Sequence, residues 1–288
     1  MNNPGPTVAE AIRAAAAQLV QVSDTARLDA ELLMAHTLGA TRSELLLRHT
    51  RDPAPPNFAT LIERRLAHEP VAYILGEQEF HGLAFAVTPA VLIPRADSEA
   101  TLEAALEAAP DARRVLDCGT GSGALLLAFL SERPAATGIG IDRSPAALAI
   151  AAANAARHGL SARAQMREAD WDTPGWAADM GQFDLVISNP PYVEITAEIA
   201  PQVRDHEPAG ALFAGPEGLD AYRILIPQLP DLLATGGIAV LEIGASQAEA
   251  VISIAQYHGF TCDLRRDLGG RPRALILRLG LGKGARSG

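Results

Sequence analysis

Four short apolar runs, at 115–118, 138–142, 183–188 and 238–243, alternate with stretches of helical period near 123–131, 145–158 and 246–258. Runs of that length and uniform polarity are buried on both faces. Strand–helix alternation of this kind packs as a parallel sheet with helices on either side. Strand signals recur at 162–167, 261–264 and 274–279, and a helical pattern at 97–109 leads in. The expected class is α/β, a doubly wound and mostly parallel sheet. No internal repeat is evident.

The first part of the chain has a different period. Ala9, Ile12, Ala16, Leu19 and Val20 fall on one helical face. Leu28, Leu32, Leu33, His36 and Leu38 recur in a second helix, capped by Ser23 or Asp24 and stopped by Gly39. Two shorter helices follow at 43–49 and 58–68, the latter entered through Pro55-Pro56. Phe80, Leu83, Phe85, Val87, Val91 and Ile93 then largely alternate around Thr88-Pro89, as in a β-hairpin. The expected organisation is an all-helical domain at 1–79, a hairpin linker at 80–98, the α/β domain at 99–281 and a disordered glycine-rich tail at 282–288.

Composition narrows the function. The net charge of −10 over 288 residues argues against a protein built to bind phosphate backbones, so no direct nucleic-acid partner is expected. Cys118 and Cys262 are far apart and form no Cys-x-x-Cys pair, and the seven histidines lack ligand spacing. Neither a metal site nor a disulfide framework is expected, and a reducing cytoplasm fits. The segment 12–20 is too short and polar to span a bilayer, and no basic leader precedes it.

The chemistry concentrates at two strand ends. Strand 183–188 runs into Asn189-Pro190-Pro191-Tyr192. Proline has no N–H, so the carbonyls here are not consumed by a continuing ladder. The Asn189 side-chain oxygen and the Pro190 carbonyl make a pair of acceptors that suits the two donors of a planar –NH2 group. Tyr192 adds a flat apolar face with a polar tip.

Strand 115–118 runs into Gly119-Thr120-Gly121-Ser122-Gly123, whose glycines let backbone approach a ligand closely. Asp142 ends the next strand, where an acid can accept hydrogen bonds from ribose hydroxyls. Gly119, Gly121 and Ala124 also satisfy the relaxed dinucleotide pattern, which leaves a nicotinamide or flavin cofactor open at this point. Asp170 and Trp171 can bond and stack an adenine, although Trp171 alone would equally fit core packing. Glycine turn, ribose acid, adenine pair and Asn-Pro-Pro-Tyr, in that order, favour S-adenosyl-L-methionine.

These residues resemble the amino-methyltransferases with an Asn-Pro-Pro-Tyr signature, which act on DNA bases or on protein glutamines. Other stretches narrow the resemblance: Arg27-Leu28-Asp29-Ala30-Glu31, Glu69-Pro70-Val71-Ala72-Tyr73, Ile93-Pro94-Arg95-Ala96-Asp97-Ser98-Glu99, His206-Glu207-Pro208, Gly218-Leu219-Asp220 and Leu241-Glu242-Ile243-Gly244. From about Arg27 to Leu279 the chain is similar to the release-factor glutamine N5-methyltransferase family. It departs where Ala96 and Ser98 replace a proline and a threonine of the linker, and where Cys118 replaces an aliphatic residue.

The resemblance implies a class I S-adenosylmethionine-dependent methyltransferase. Its substrate would be the glutamine of the Gly-Gly-Gln motif in peptide chain release factors, so that it modulates translation termination. It implies Asn189, Pro190 and Tyr192 as catalytic and Asn189 to Tyr192 as substrate-binding residues. Gly119 to Gly123, Asp142, Asp170, Trp171 and Asn189 would hold the cofactor in a monomeric, cytoplasmic enzyme with no membrane contact. The alternatives are a ribosomal-protein glutamine methyltransferase, a DNA amino-methyltransferase and a dinucleotide-dependent oxidoreductase.

Overall fold

The computed structural model describes residues 5–280, so the expected tail at 282–288 lies outside the described residues. The chain divides into two compact units. One holds the residues up to Glu77 together with Ile199–His206, and the other holds Gln78–Glu198 and the chain from Glu207 onward.

The first unit is helical. Helix Val8–Leu19 starts in a capping box, with the Thr7 side chain accepting from the Glu10 N–H and Glu10 reaching back to the Thr7 N–H. It buries Val8, Ile12, Ala15 and Leu19. The expected face was off by one step at its end, because Val20 is 71% exposed. Helix Ala26–Leu38 ends at Gly39 in the left-handed conformation, as expected. Its Leu28 is exposed while Asp29 and Glu31 are buried, against the apolar-face reading. Burial of Asp29 is compensated by Arg65, whose Nε lies 2.8 Å from it, and by the Ser23 and Thr25 hydroxyls. The expected helix at 43–49 is a single turn, Arg42–Glu44, continued as a π-turn at Leu45–His49.

A hairpin of β1 (Glu77–Phe80) and β2 (Leu83–Ala86) begins at the boundary and leads into the second unit. It turns at His81-Gly82, not at Thr88-Pro89. Both turn residues have positive φ, 49° and 74°, and the twist of such a two-residue turn matches that of its strands.

A sheet of seven strands follows: β3 (Arg114–Cys118), β4 (Thr137–Asp142), β5 (Ala164–Glu168), β6 (Phe183–Ser188), β7 (Leu233–Glu242), β8 (Phe260–Arg266) and β9 (Pro272–Leu279). The order across the sheet is β5-β4-β3-β6-β7-β9-β8, and β9 runs opposite to the other six strands. All seven sheet strands that the sequence indicated are present, within a doubly wound and mostly parallel α/β sheet, whereas no strand forms at 91–93, where the second arm of the linker hairpin was expected. One apolar core covers each face. Leu126 and Phe129 lie in one core, and Tyr222 and Leu225 in the other.

Strand order reverses between β3 and β6. Chains leaving adjacent strands there diverge and open a crevice at the carboxyl ends. Cys118 pairs with Ser188 across that boundary. The glycine turn after β3 and the Asn-Pro-Pro-Tyr segment after β6 therefore start side by side.

Candidate active site

A cavity of about 360 Å³ sits at the carboxyl ends of β3, β4 and β6. Its wall includes Gly119, Thr120, Gly121, Ser122, Asp142, Asp170, Trp171 and Asn189, which brings nearly all the expected cofactor residues together. Its size suits a small organic ligand.

The glycine turn is fixed by its neighbours. The N–H groups of Gly119 and Thr120 both donate to the Ile141 carbonyl at the end of β4, at 2.9 and 2.8 Å. Gly119 has φ +74°, which favours glycine, and a side chain there would also crowd the Trp171 ring at 3.1 Å. Asp142 accepts from the Gly121 N–H at 3.0 Å and from the Ser144 N–H at 2.9 Å. A carboxylate has about four acceptor positions, so Asp142 retains capacity for a ligand's hydroxyls. Asp170 accepts from the Asp172 N–H at 3.0 Å, which shapes the loop that carries Trp171.

Asn154 also supports the turn. It is fully buried in the helix Pro145–Arg157 and donates to the Ser122 carbonyl at 2.8 Å while pairing with both backbone groups of Ala86. Nothing in its sequence context marked it, since an asparagine in an alanine-rich helix reads as surface.

Asp117, the acid that precedes the glycine turn, was not among the expected cofactor residues, yet it too lines the cavity. It is 1% exposed, Thr120 donates to its Oδ2 at 2.7 Å, and among the described residues its Oδ1 has no hydrogen-bond partner. Burial pushes its carboxyl up to about 7, against the Thr120 hydroxyl and, more weakly, the Leu126 backbone N–H, and the Asp142 charge adds to the rise.

At the end of β6 the signature divides its faces. Asn189 and Pro191 line the cavity, and Pro190 is buried. The Tyr192 hydroxyl lies 3.3 Å from Oε1 of Glu242, the last residue of β7. Burial, with the Glu242 charge adding to it, pushes the Tyr192 phenol up to about 12. Gln247 locks the segment from behind, donating to the Tyr192 carbonyl at 2.9 Å and the Gly218 carbonyl at 3.1 Å. Gly218 is the second glycine that the site demands, since a side chain there would overlap the Tyr192 carbonyl at 2.2 Å.

The loop on the far wall is held by Glu207, which accepts from the Ile93 N–H at 3.2 Å and pairs with Arg95. Among the described residues no cluster of side chains has metal-binding geometry, and no helix is long and apolar enough to cross a membrane.

Comparison with known proteins identifies the family and the fold. Residues 10–76 match the family model of the PrmC N-terminal domain, and residues 110–229 match a methyltransferase domain. The release factor glutamine methyltransferase of Cereibacter sphaeroides is 44% identical over 279 residues, covering 94% of this chain and 98% of its own. That of Geobacter sulfurreducens is 42% identical over 264 residues, covering 89% and 91%. Among solved structures, an O-methyltransferase family protein from Burkholderia thailandensis aligns at a TM-score of 0.51 and 15% identity, over 93% of this chain and 98% of that one. A methyltransferase from Pyrococcus furiosus gives 0.50 and 16%, over 76% and 98%. The two solved structures show the shared fold.

Proposed function

The chain belongs to the release factor glutamine methyltransferases, and we propose that it methylates the side-chain amide nitrogen of the glutamine in the Gly-Gly-Gln motif of peptide chain release factors. The observation that carries the reading is Asn189. It stands at the carboxyl end of the strand beside the switch point, in one cavity with the glycine turn, Asp142 and Trp171.

The residues present fit S-adenosyl-L-methionine. The buried, unpartnered Asp117 Oδ1 at the cavity wall suits an ammonium group. Asp142 suits a ribose diol, and Asp170 with Trp171 suits an adenine. Gly119 keeps the space beside the Trp171 ring clear. When bound, the cofactor supplies a methyl group activated by a positively charged sulfur.

The protein's task is to make an amide nitrogen nucleophilic, although its lone pair is delocalised. The Asn189 side-chain oxygen and the Pro190 carbonyl each accept one N–H of the substrate amide. That fixes the nitrogen's orientation and pushes electron density onto it. Holding reactants in such a near-attack arrangement supplies roughly 7–11 kcal/mol. Fixed acceptors facing the charge that develops on nitrogen contribute further. The nitrogen becomes acidic as the new N–C bond forms, so its proton leaves without a strong base. Tyr192, held as a phenol far above neutrality and bonded to Glu242, serves as an anchor of the segment.

The helical unit and the 80–98 linker are proposed to dock the release factor, with the enzyme acting as a cytoplasmic monomer without nucleic acid. Mass spectrometry of a purified release factor, incubated with this protein and methyl-labelled cofactor, tests the reading. One methyl group on the Gly-Gly-Gln glutamine is expected. An unmodified glutamine, or methylated DNA in a parallel reaction, would refute it.

A further inference from the structure

Glu242 is a buried charge that methyl transfer does not itself use. It closes β7 at 1% exposure, and hydroxyl groups surround its carboxylate. Thr101 Oγ1 donates to Oε2 at 3.4 Å and Tyr192 Oη to Oε1 at 3.3 Å, and the Ser98 hydroxyl donates to the same carboxylate. Ser98 has a second neighbour, the Asn189 Nδ2, which donates to its Oγ at 3.5 Å. A hydrogen-bonded path therefore runs Asn189, Ser98, Glu242, Tyr192, and joins both ends of the signature through one carboxylate.

The path has a direction. A hydroxyl carries one hydrogen and two lone pairs, and a carboxylate only accepts. While Ser98 gives its hydrogen to Glu242, it can only accept from Asn189, which must present its –NH2 to Ser98. The planar amide then turns its oxygen away from Ser98. Were the path reversed, Ser98 would donate to the Asn189 oxygen and the Asn189 –NH2 would face the –NH2 of the substrate, where neither group accepts.

We propose that the Glu242 carboxylate is a positioning group that sets the direction of this path and keeps the Asn189 oxygen toward the substrate amide. The proposal rests on the acceptor role given to Asn189 above. Ser98 acts through the same path, and a threonine at that position would preserve it.

The charged surroundings make the direction sensitive to pH. Burial pushes the Glu242 carboxyl up to about 7, opposed by the Ser98, Tyr192 and Thr101 hydrogen bonds and by the Arg273 charge. Arg273 is itself paired with Asp97 at 2.9 Å, and Arg271 lies 3.3 Å from that same Asp97. Tyr222 donates to the Glu242 backbone carbonyl at 2.8 Å. As pH falls through about 7 the carboxyl gains a proton that it can donate, and the path loses its fixed direction.

The test is turnover of a release factor at saturating cofactor, measured from about pH 6 to pH 9, with cofactor affinity measured by calorimetry. Wild-type kcat should rise with pH through the Glu242 transition. Glu242→Gln, whose –NH2 can donate to Ser98, should lower kcat by about 10- to 100-fold and flatten that rise. Ser98→Val, which has the shape of threonine without the hydroxyl, should lose kcat while leaving cofactor affinity in place. Ser98→Thr should recover most of the loss. Equal kcat for Ser98→Val and Ser98→Thr would overturn the proposal, and these variants serve even if Glu242→Gln fails to fold. So would a Glu242→Gln enzyme with wild-type kcat and pH profile. Asn189→Ala measured alongside separates the two levels. If it is impaired while Ser98→Val is not, only the relay falls. If it turns over normally, the acceptor reading falls and takes the relay with it.

Discussion

Asp117 and Glu242 flank the signature strand from opposite sides, on β3 and at the end of β7. Each is 1% exposed, and burial pushes each carboxyl up to about 7. Their partners differ. Glu242 is hydrogen-bonded at both oxygens by side chains of the protein, whereas Asp117 has Thr120 on one oxygen and, among the described residues, nothing on the other. Leaving a buried acceptor unsatisfied costs about 1–3 kcal/mol, so it persists where a ligand later satisfies it. The contrast teaches how one sheet edge separates its duties: the β3 side awaits a cation, and the β7 side holds protein groups still.

The first way to break this comparison is Asp117→Ala. It removes the awaiting charge, and calorimetry should show cofactor affinity falling by about 100-fold, the upper range for a hydrogen bond to a charged group. Unchanged affinity would mean that Asp117 is no more than a turn-former through Thr120.

A smaller effect follows from titration. The folded pKa of Asp117 lies above its ordinary value, so below about 7 the group is protonated and must ionise to receive a cation. Cofactor affinity should therefore rise with pH by about tenfold per unit below that point and level off above it. Asp117→Asn should give a flat profile. A wild-type profile that is already flat would contradict the assignment.

The smallest effect belongs to the β7 side. Tyr222→Phe deletes the hydrogen bond to the Glu242 carbonyl, and urea unfolding should show a loss of about 0.5–1.5 kcal/mol. Cofactor affinity should hardly move. If affinity fell along with stability, the two sides would be coupled more tightly than the comparison allows.

The same contrast explains what was legible in the sequence. Parallel strands buried on both faces are written as apolar runs, and turn glycines and strand-end acids sit at fixed places after them. β3 to β9, the glycine turn, Asp142 and Asn189 could thus be read directly. Glu242 depends on Ser98, Thr101 and Tyr192, which reach it from distant parts of the chain. Asn154 depends likewise on Ala86 and Ser122. Sequence periodicity carries no record of such pairings. One signal was available, an acid closing the otherwise apolar end of β7. In the helical unit the buried Asp29–Arg65 pair misled the apolar-face reading for the same reason, because a charge can be interior once its partner is there.

The central claim is that Asn189 acts on the substrate amide and not merely as the end of β6. Single-turnover methyl transfer to a release factor, at saturating cofactor, compares wild type, Asn189→Ala and Asn189→Asp. The account predicts that Asn189→Ala slows transfer by at least about 10²-fold, as loss of one preorganised polar group does, while calorimetry shows most cofactor affinity retained. Asn189→Asp, which still accepts a hydrogen bond, should keep more activity than the alanine variant. Wild-type transfer rates in both variants would contradict the account and leave Asn189 a strand terminator.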